Sequence, residues 1–151
     1  MRHSIWPLLV VLTVLTGCPC EGPNPMPTEL QYTLVSSTSD WAGTVRITAI
    51  VRNVGLAPFI SGKGQQAVYL YEDFKLVAQK EFLGLDVDAT LELSYERPWD
   101  LSVEFRPQAY SAYLAYDPDI YLDGNADNDD CNQANNTLTR STAGLDALFG
   151  S

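Results

Sequence analysis

From residue 30 onward the apolar positions recur at every second residue, not at the 3.6 spacing of a helix. In T-V-R-I-T-A-I-V-R, Val45, Ile47, Ala49 and Val51 share one face, while Thr44, Arg46, Thr48 and Arg52 fall mostly on the other. The segment A-T-L-E-L-S-Y-E repeats the pattern, with Ala89, Leu91, Leu93 and Tyr95 alternating with Thr90, Glu92, Ser94 and Glu96. Alternation of this kind predicts antiparallel strands with one buried and one wet face. Further strands are expected over 30–36, 67–72, 76–82, 101–105, 110–117 and 137–141. Glycine, proline and aspartate punctuate them at 55–64, 72–73, 84–88, 97–98 and 106–107. Seven or eight short strands predict an all-β fold, an immunoglobulin-like antiparallel β-sandwich whose two sheets each bury one face. The tail 143–151 is expected to form one loose helical turn or none.

Four short motifs add a resemblance. They are V-R-N-V-G at 51–55, V-Y-L-Y-E-D at 68–73, Y-S-A-Y-L-A-Y-D-P-D at 110–119 and N-N-T-L at 135–138. Together they resemble the CARDB family of immunoglobulin-like, adhesion-related domains. That family shows Asn-x-Gly after its second strand, Asp-Pro-Asp after a tyrosine-led strand and a closing Asn-Asn. The resemblance covers residues 30–142 and implies a sandwich module that binds or supports something at the cell surface, without enzymatic activity. Three departures stand out: the loop 117–136 is longer and more acidic than the family pattern, the family's glutamate-centred segment before Asn-Asn is replaced by D-G-N-A-D-N-D-D-C, and the strand expected at 101–105 is extra.

The N-terminus sets the address. Residues 1–17 place Arg2 ahead of an apolar run from Pro7 to Leu15, the form of an export signal and too short for a bilayer-spanning helix of about 20 residues. Leu15-Thr16-Gly17-Cys18 resembles a lipobox, in which the cysteine is acylated and becomes the first mature residue. Cys18 is thus the expected lipid anchor, since several acyl chains on one residue hold a protein stably at a membrane. Pro19 is not the aspartate associated with inner-membrane retention, so the outer membrane is the expected destination. Residues 18–29, with four prolines, read as an extended spacer reaching on the order of 30 Å, ahead of the domain at 30–142. With Cys18 committed to lipid, Cys20 and Cys131 remain, either as free thiols or as a disulfide in an oxidising compartment. A sandwich whose first strand starts at the same end as its last loop favours the disulfide.

Loss of Arg2 leaves 8 basic against 19 acidic side chains, a formal net charge of −11, which argues against nucleic-acid phosphates as a ligand. Six aspartates and five asparagines lie between residues 117 and 136 without a lysine or arginine. Asp123, Asn125, Asp127 and Asp129 recur at every second residue, the spacing by which a loop wraps Ca²⁺ with oxygens, and Asp117 and Asp119 are further candidates. The EF-hand pattern itself fails: its turn glycine would fall on Asn128 and its bidentate glutamate on Ala134. The bland alternative is a solvated loop of turn formers.

No catalytic set emerges. The single histidine, His3, lies in the leader, so no histidine-based triad or zinc site is available to the mature chain, and the chain is expected not to be an enzyme. Gly62-Lys63-Gly64 lacks the rest of a phosphate-binding loop. Phe59 and Ile60 are expected to plug one end of the sandwich. Trp41, Trp99 and Tyr113, with Tyr69 and Tyr71, are candidates for an aromatic surface that takes a protein or carbohydrate ligand. The expected function is a membrane-anchored binding or adhesion-type module with a candidate calcium loop. The competing reading is a non-catalytic accessory subunit of a larger envelope assembly.

Overall fold

A computed structural model gives the architecture and describes residues 20–149. The expected signal peptide, with Cys18 and Pro19, lies outside the described residues. The strands are β1 (Pro25–Ser39), β2 (Ala42–Asn53), β3 (Phe59–Ile60), β4 (Gln66–Glu72), β5 (Lys75–Glu81), β6 (Gly84–Leu85), β7 (Thr90–Asp100), β8 (Ala109–Tyr116) and β9 (Thr137–Ser141), followed by a single helical turn, α1 (Ala143–Asp146). One sheet has the order β1-β2-β7 and the other β5-β4-β8-β9, with β3 and β6 forming a small separate pair. Every pairing is antiparallel. The expected all-β sandwich is the observed fold.

Alternation builds the core. Val45, Ile47, Ala49 and Val51 of β2 are fully buried and share the interior with Val68 and Leu70 of β4 and Ala112 and Leu114 of β8. β1 lies over β8 and β9, and β7 over β5. The register places residues 20–24 and the loops 54–65, 82–89 and 117–136 at one end of the sandwich. The turns at 40–41 and 73–74, the loop 101–108 and α1 lie at the other.

Three sequence expectations need correction. First, residues 20–29 are not a free spacer. β1 begins at Pro25 and pairs with β2, Pro23, Asn24 and Pro25 are buried, and Gly22 and Asn24 carbonyls accept from the Leu56 and Val54 amides. Pro25 and Pro27 are tolerated because β1 is an edge strand, where a missing amide need not break a ladder. Second, 101–105 is a loop, and β7 instead continues through Arg97-Pro98 to Asp100. β7 is also an edge strand, paired only to β2, so Pro98 ends nothing. Asp100 then accepts from the Ser102 amide and hydroxyl at 2.8 and 2.7 Å, and the Arg106 guanidinium clasps the Leu101 and Val103 carbonyls. Third, the tail is packed: Leu145 and Phe149 are buried in the core.

Tyr110, at the start of β8, is fully buried and its hydroxyl donates to Glu72 Oε2 at 2.7 Å. Glu72 also pairs with Arg97 between the sheets. Tyrosine corners bond a backbone carbonyl; here the partner is a carboxylate neutralised by an arginine.

Candidate recognition face and the acidic loop

In a strand, alternate side chains leave the core, so the outward residues of β5, β4, β8 and β9 follow from the register. Tyr69 of β4 lies directly opposite Tyr113 of β8, and Tyr113 opposite Thr137 of β9. On the other side Tyr69 faces Gln79 of β5. One step along, Tyr71 faces Ser111, which faces Thr139. The Tyr69 and Tyr71 rings meet edge-on with centroids 6.3 Å apart, and the Ser111 and Thr139 hydroxyls are 2.8 Å apart. Tyr113 is 42% exposed, and Tyr69 and Tyr71 are half-buried. Glu81, opposite Ala67, is the one charged side chain in this outward set.

Two shallow clefts flank the end of β8. One, of about 190 Å³, is lined by Tyr69, Glu81, Ala115, Asp117 and Pro118 among others. The other, of about 330 Å³, is lined by Tyr113, Tyr116, Asp117, Tyr121 and Gln133. Tyr121 stacks edge-on against Tyr116 at 6.3 Å. Burial, with Asp130 nearby, pushes the Tyr121 hydroxyl up to about 12. The face is a row of aromatic rings bordered by hydroxyls and an amide, with carboxylates at its end.

The other aromatic candidates separate. Trp99 is 2% exposed and its indole donates to Asp146 Oδ1 at 3.0 Å, so it belongs to the core and not to a binding surface. Its position follows from the continuation of β7, because Leu93, Tyr95, Arg97 and Trp99 share one face. Trp41 is 55% exposed but sits in the β1–β2 turn at the end away from the two clefts. Phe59 is buried against Phe82 and Tyr116 and acts as the expected plug, whereas its neighbour Ile60 is exposed.

The acidic loop folds back on itself. Asp123 Oδ1 accepts from the Asn125 amide at 2.7 Å, and Asn125 Oδ1 from the Asp127 amide at 3.2 Å. Asp123 Oδ2 accepts from Asn128 Nδ2 at 2.8 Å and from Gln65 Nε2 at 3.0 Å. These hydrogen bonds, that from Asn128 first, hold the Asp123 carboxyl below its ordinary value. Asp123 and Asn125 thus spend part of the every-second-residue spacing on side-chain-to-backbone turns. Asp117 and Asp119 sit together, and a hydrogen bond and repulsion from Asp117 push Asp119 up. Among the described residues no three histidine, cysteine, aspartate or glutamate side chains converge, so the six candidate calcium ligands are not brought together. Four loop oxygens, Oδ1 of Asn128, Asp129, Asn135 and Asn136, are buried without a partner, and of these only Asp129 belongs to the candidate calcium set. The residues as folded do not fit a calcium loop.

Asp130, absent from the candidate set, organises this region. It is 5% exposed and accepts from the Asn132 amide at 3.0 Å, Asn136 Nδ2 at 2.7 Å and the Tyr116 hydroxyl at 3.3 Å. Burial raises its carboxyl above the ordinary range, and those hydrogen bonds oppose the rise. Beside it Cys131 is joined to Cys20, with Cα atoms 5.9 Å apart and a sequence separation of 111. The Cys131 amide also donates to the Pro23 carbonyl at 3.0 Å, so the expected disulfide binds the N-terminal segment to the acidic loop.

The Asn-x-Gly motif has a structural role at the same end. Asn53 is fully buried and makes four hydrogen bonds: its Oδ1 accepts from the Asn24 and Gly55 amides, and its Nδ2 donates to the Ala57 and Leu85 carbonyls. A Cβ on Gly55 would lie 2.3 Å from the Gly22 carbonyl oxygen, so the crossing of the N-terminal segment requires glycine there.

No family model matches the chain, and no curated protein does. Among solved structures it is similar to a CARDB domain from Pyrococcus furiosus, in complex with di-metal ions, at 15% identity and TM-score 0.47 over 85% of this chain and 93% of that one. A domain of a protein described as cell-surface, from Methanosarcina acetivorans, is similar at 21% identity and TM-score 0.44, covering 80% of this chain and 90% of that one. A likeness to β-glucosidase 3B of Thermotoga neapolitana in complex with glucose, at 16% identity and TM-score 0.33, covers 79% of this chain and 16% of the enzyme.

Proposed function

We propose that this chain is an exported, lipid-anchored, non-catalytic binding module, and that the outward face of the β5-β4-β8-β9 sheet takes a neutral oligosaccharide. The observation that carries this reading is the direct pairing of Tyr69 with Tyr113 on a sheet face that is almost free of charge. Apolar sugar faces stack on exposed aromatic rings, and Tyr combines a large apolar body with a polar handle. Ser111, Thr137, Thr139 and Gln79 lie around the rings and can exchange hydrogen bonds with sugar hydroxyls. At the edge, the Glu81 and Asp117 carboxylates would accept from hydroxyls and repel anionic polymers. The absence of histidine from the mature chain supports a binding role over catalysis, and the leader with Cys18 supports export and anchoring.

An array carrying neutral and anionic oligosaccharides tests this reading. The mature protein is expected to be retained on neutral glycans, and Tyr113→Ala to lose that retention while keeping the wild-type melting temperature. Retention only on anionic glycans, or none on any glycan, would overturn it. Co-purification of a stable envelope partner without glycan retention would favour the accessory-subunit reading.

A further inference from the structure

The disulfide changes how the domain would sit on a membrane. One residue, Pro19, separates Cys18 from Cys20. Two residues of chain reach at most about 7 Å, and Cys20 is fixed to Cys131 at the loop end of the sandwich. The segment after Cys20 is held as well, by the Gly22 and Asn24 carbonyls on the Leu56 and Val54 amides. An acylated Cys18 therefore leaves no room for a spacer. We infer that the disulfide end of the sandwich, with its exposed Leu56, Ile60 and Leu83, rests directly on the lipid bilayer. This inference depends on acylation of Cys18, part of the function proposed above, and is independent of the glycan ligand.

The surface at that end suits the placement. Leu56 and Leu83 are each 59% exposed and Ile60 is 53% exposed. They sit on connected segments: Leu56 bonds to Gly22, Ile60 to Asp127, and the Ser61 amide to the Leu83 carbonyl. Charge alone would not bring this end to a membrane, since the aspartates of 117–136 lie there and anionic headgroups repel them. The covalent tether supplies the contact, and the apolar side chains are what it presses to the interface. The tyrosine face, on the side of the sandwich, is left upright and open to ligand.

The native tryptophans make the test clean. After removal of the leader only Trp41 and Trp99 remain, both at the opposite end. The 12-residue β2 that spans the sandwich puts them about 40 Å from the disulfide end at strand rise. Acylated protein is reconstituted in vesicles of phosphatidylcholine brominated on its acyl chains, and tryptophan fluorescence is compared for wild type and Leu56→Trp. The expected result is little quenching for wild type and an added, strongly quenched component for Leu56→Trp. Leu83→Trp serves as a second probe if Leu56→Trp folds poorly. Insertion of ten Gly/Ser residues between Pro19 and Cys20 should relieve the quenching. A Leu56→Trp signal no more quenched than wild type, or one undiminished by the insertion, overturns the inference. Mass spectrometry of the same sample distinguishes the two failures: a chain not acylated at Cys18 removes the anchor itself, whereas an acylated but unquenched chain refutes only the seating.

Discussion

The two outward faces of this sandwich are built on the same alternation yet carry opposite chemistry. On the β1-β2-β7 sheet the outward residues include Glu29, Arg46, Arg52, Glu92 and Glu96, and Arg46 pairs with Glu96 at 2.5 Å and Arg52 with Asp88 at 2.8 Å. The first is a cross-strand pair and the second reaches the loop ahead of β7; opposite charges placed in this way satisfy a wet sheet face. The β5-β4-β8-β9 face instead holds Tyr69, Tyr71 and Tyr113 among hydroxyls. In a chain with 19 acidic side chains, a nearly uncharged face is the exception. Solubility alone accounts for the first face and leaves the second without a reason, which is why the second is assigned to recognition.

The comparison can be broken at several points. The largest expected effect comes from Cys20→Ala with Cys131→Ala. Removing a bridge whose cysteines are separated by 111 in sequence should cost about 2–4 kcal/mol of stability, read by denaturant unfolding. Glycan binding should survive wherever the domain remains folded, because the tyrosines sit on strands and not on the loop. Lost binding in the folded variant would move the site to the acidic end. Tyr69→Ala with Tyr113→Ala should weaken glycan binding by about 2 kcal/mol, roughly thirtyfold in Kd, with the sheet intact by circular dichroism. Arg46→Ala, on the other face, should leave binding unchanged. Its ion pair is about half exposed, so its stability cost should stay below about 1 kcal/mol.

Smaller effects concern the loop. Asp130 is held above its ordinary value by burial, and Asp123 below its ordinary value by hydrogen bonds. A carboxyl raised in the folded state contributes stability that is present below its unfolded value and lost as pH rises through the folded one. Asp130 therefore favours folding at mild acidity. Asp123 acts oppositely: its contribution is present above the unfolded value and lost as pH falls through the lowered one. Carboxyl carbon shifts followed across the acidic range should show Asp130 titrating above Asp123; the reverse order would contradict the buried Asp130 network. Calcium up to millimolar concentrations should leave the melting temperature unchanged, whereas a saturable rise would show that the loop rearranges to gather ligands the folded loop keeps apart.

Much of the sandwich was legible in the sequence, because period two is a direct record of one buried face. The alternation of β2 and of the first half of β7 was readable residue by residue. What escaped was decided by neighbours and not by pattern. Prolines 25, 27 and 98 read as breaks, yet all three stand on edge strands, and edge position is a property of the sheet. Ending β7 too early left Trp99 without a face, although the period running from Leu93 through Tyr95 and Arg97 leads to it. Leu145 and Phe149 stand four apart, a helical spacing that could have marked the tail as packed. In the loop, oxygens at every second residue suit a cation and a series of side-chain turns equally well. Only coordinates show that Asp123 and Asn125 spend theirs on backbone amides and that Asp130 is the aspartate turned inward. The tyrosine face was half legible: Tyr69, Tyr71 and Tyr113 were candidates, but their common face depended on the β4–β8 register.

The most direct measurement is a nitrogen-15 chemical-shift map of the mature domain titrated with a neutral oligosaccharide drawn from the array. The account predicts saturable shifts at Tyr69, Tyr71, Ser111, Tyr113, Thr137 and Gln79, with the amides of Arg46, Thr48, Ser94 and Glu96 unmoved. Shifts centred on the ion-paired face or on residues 123–130, with the tyrosine strands silent, would contradict it.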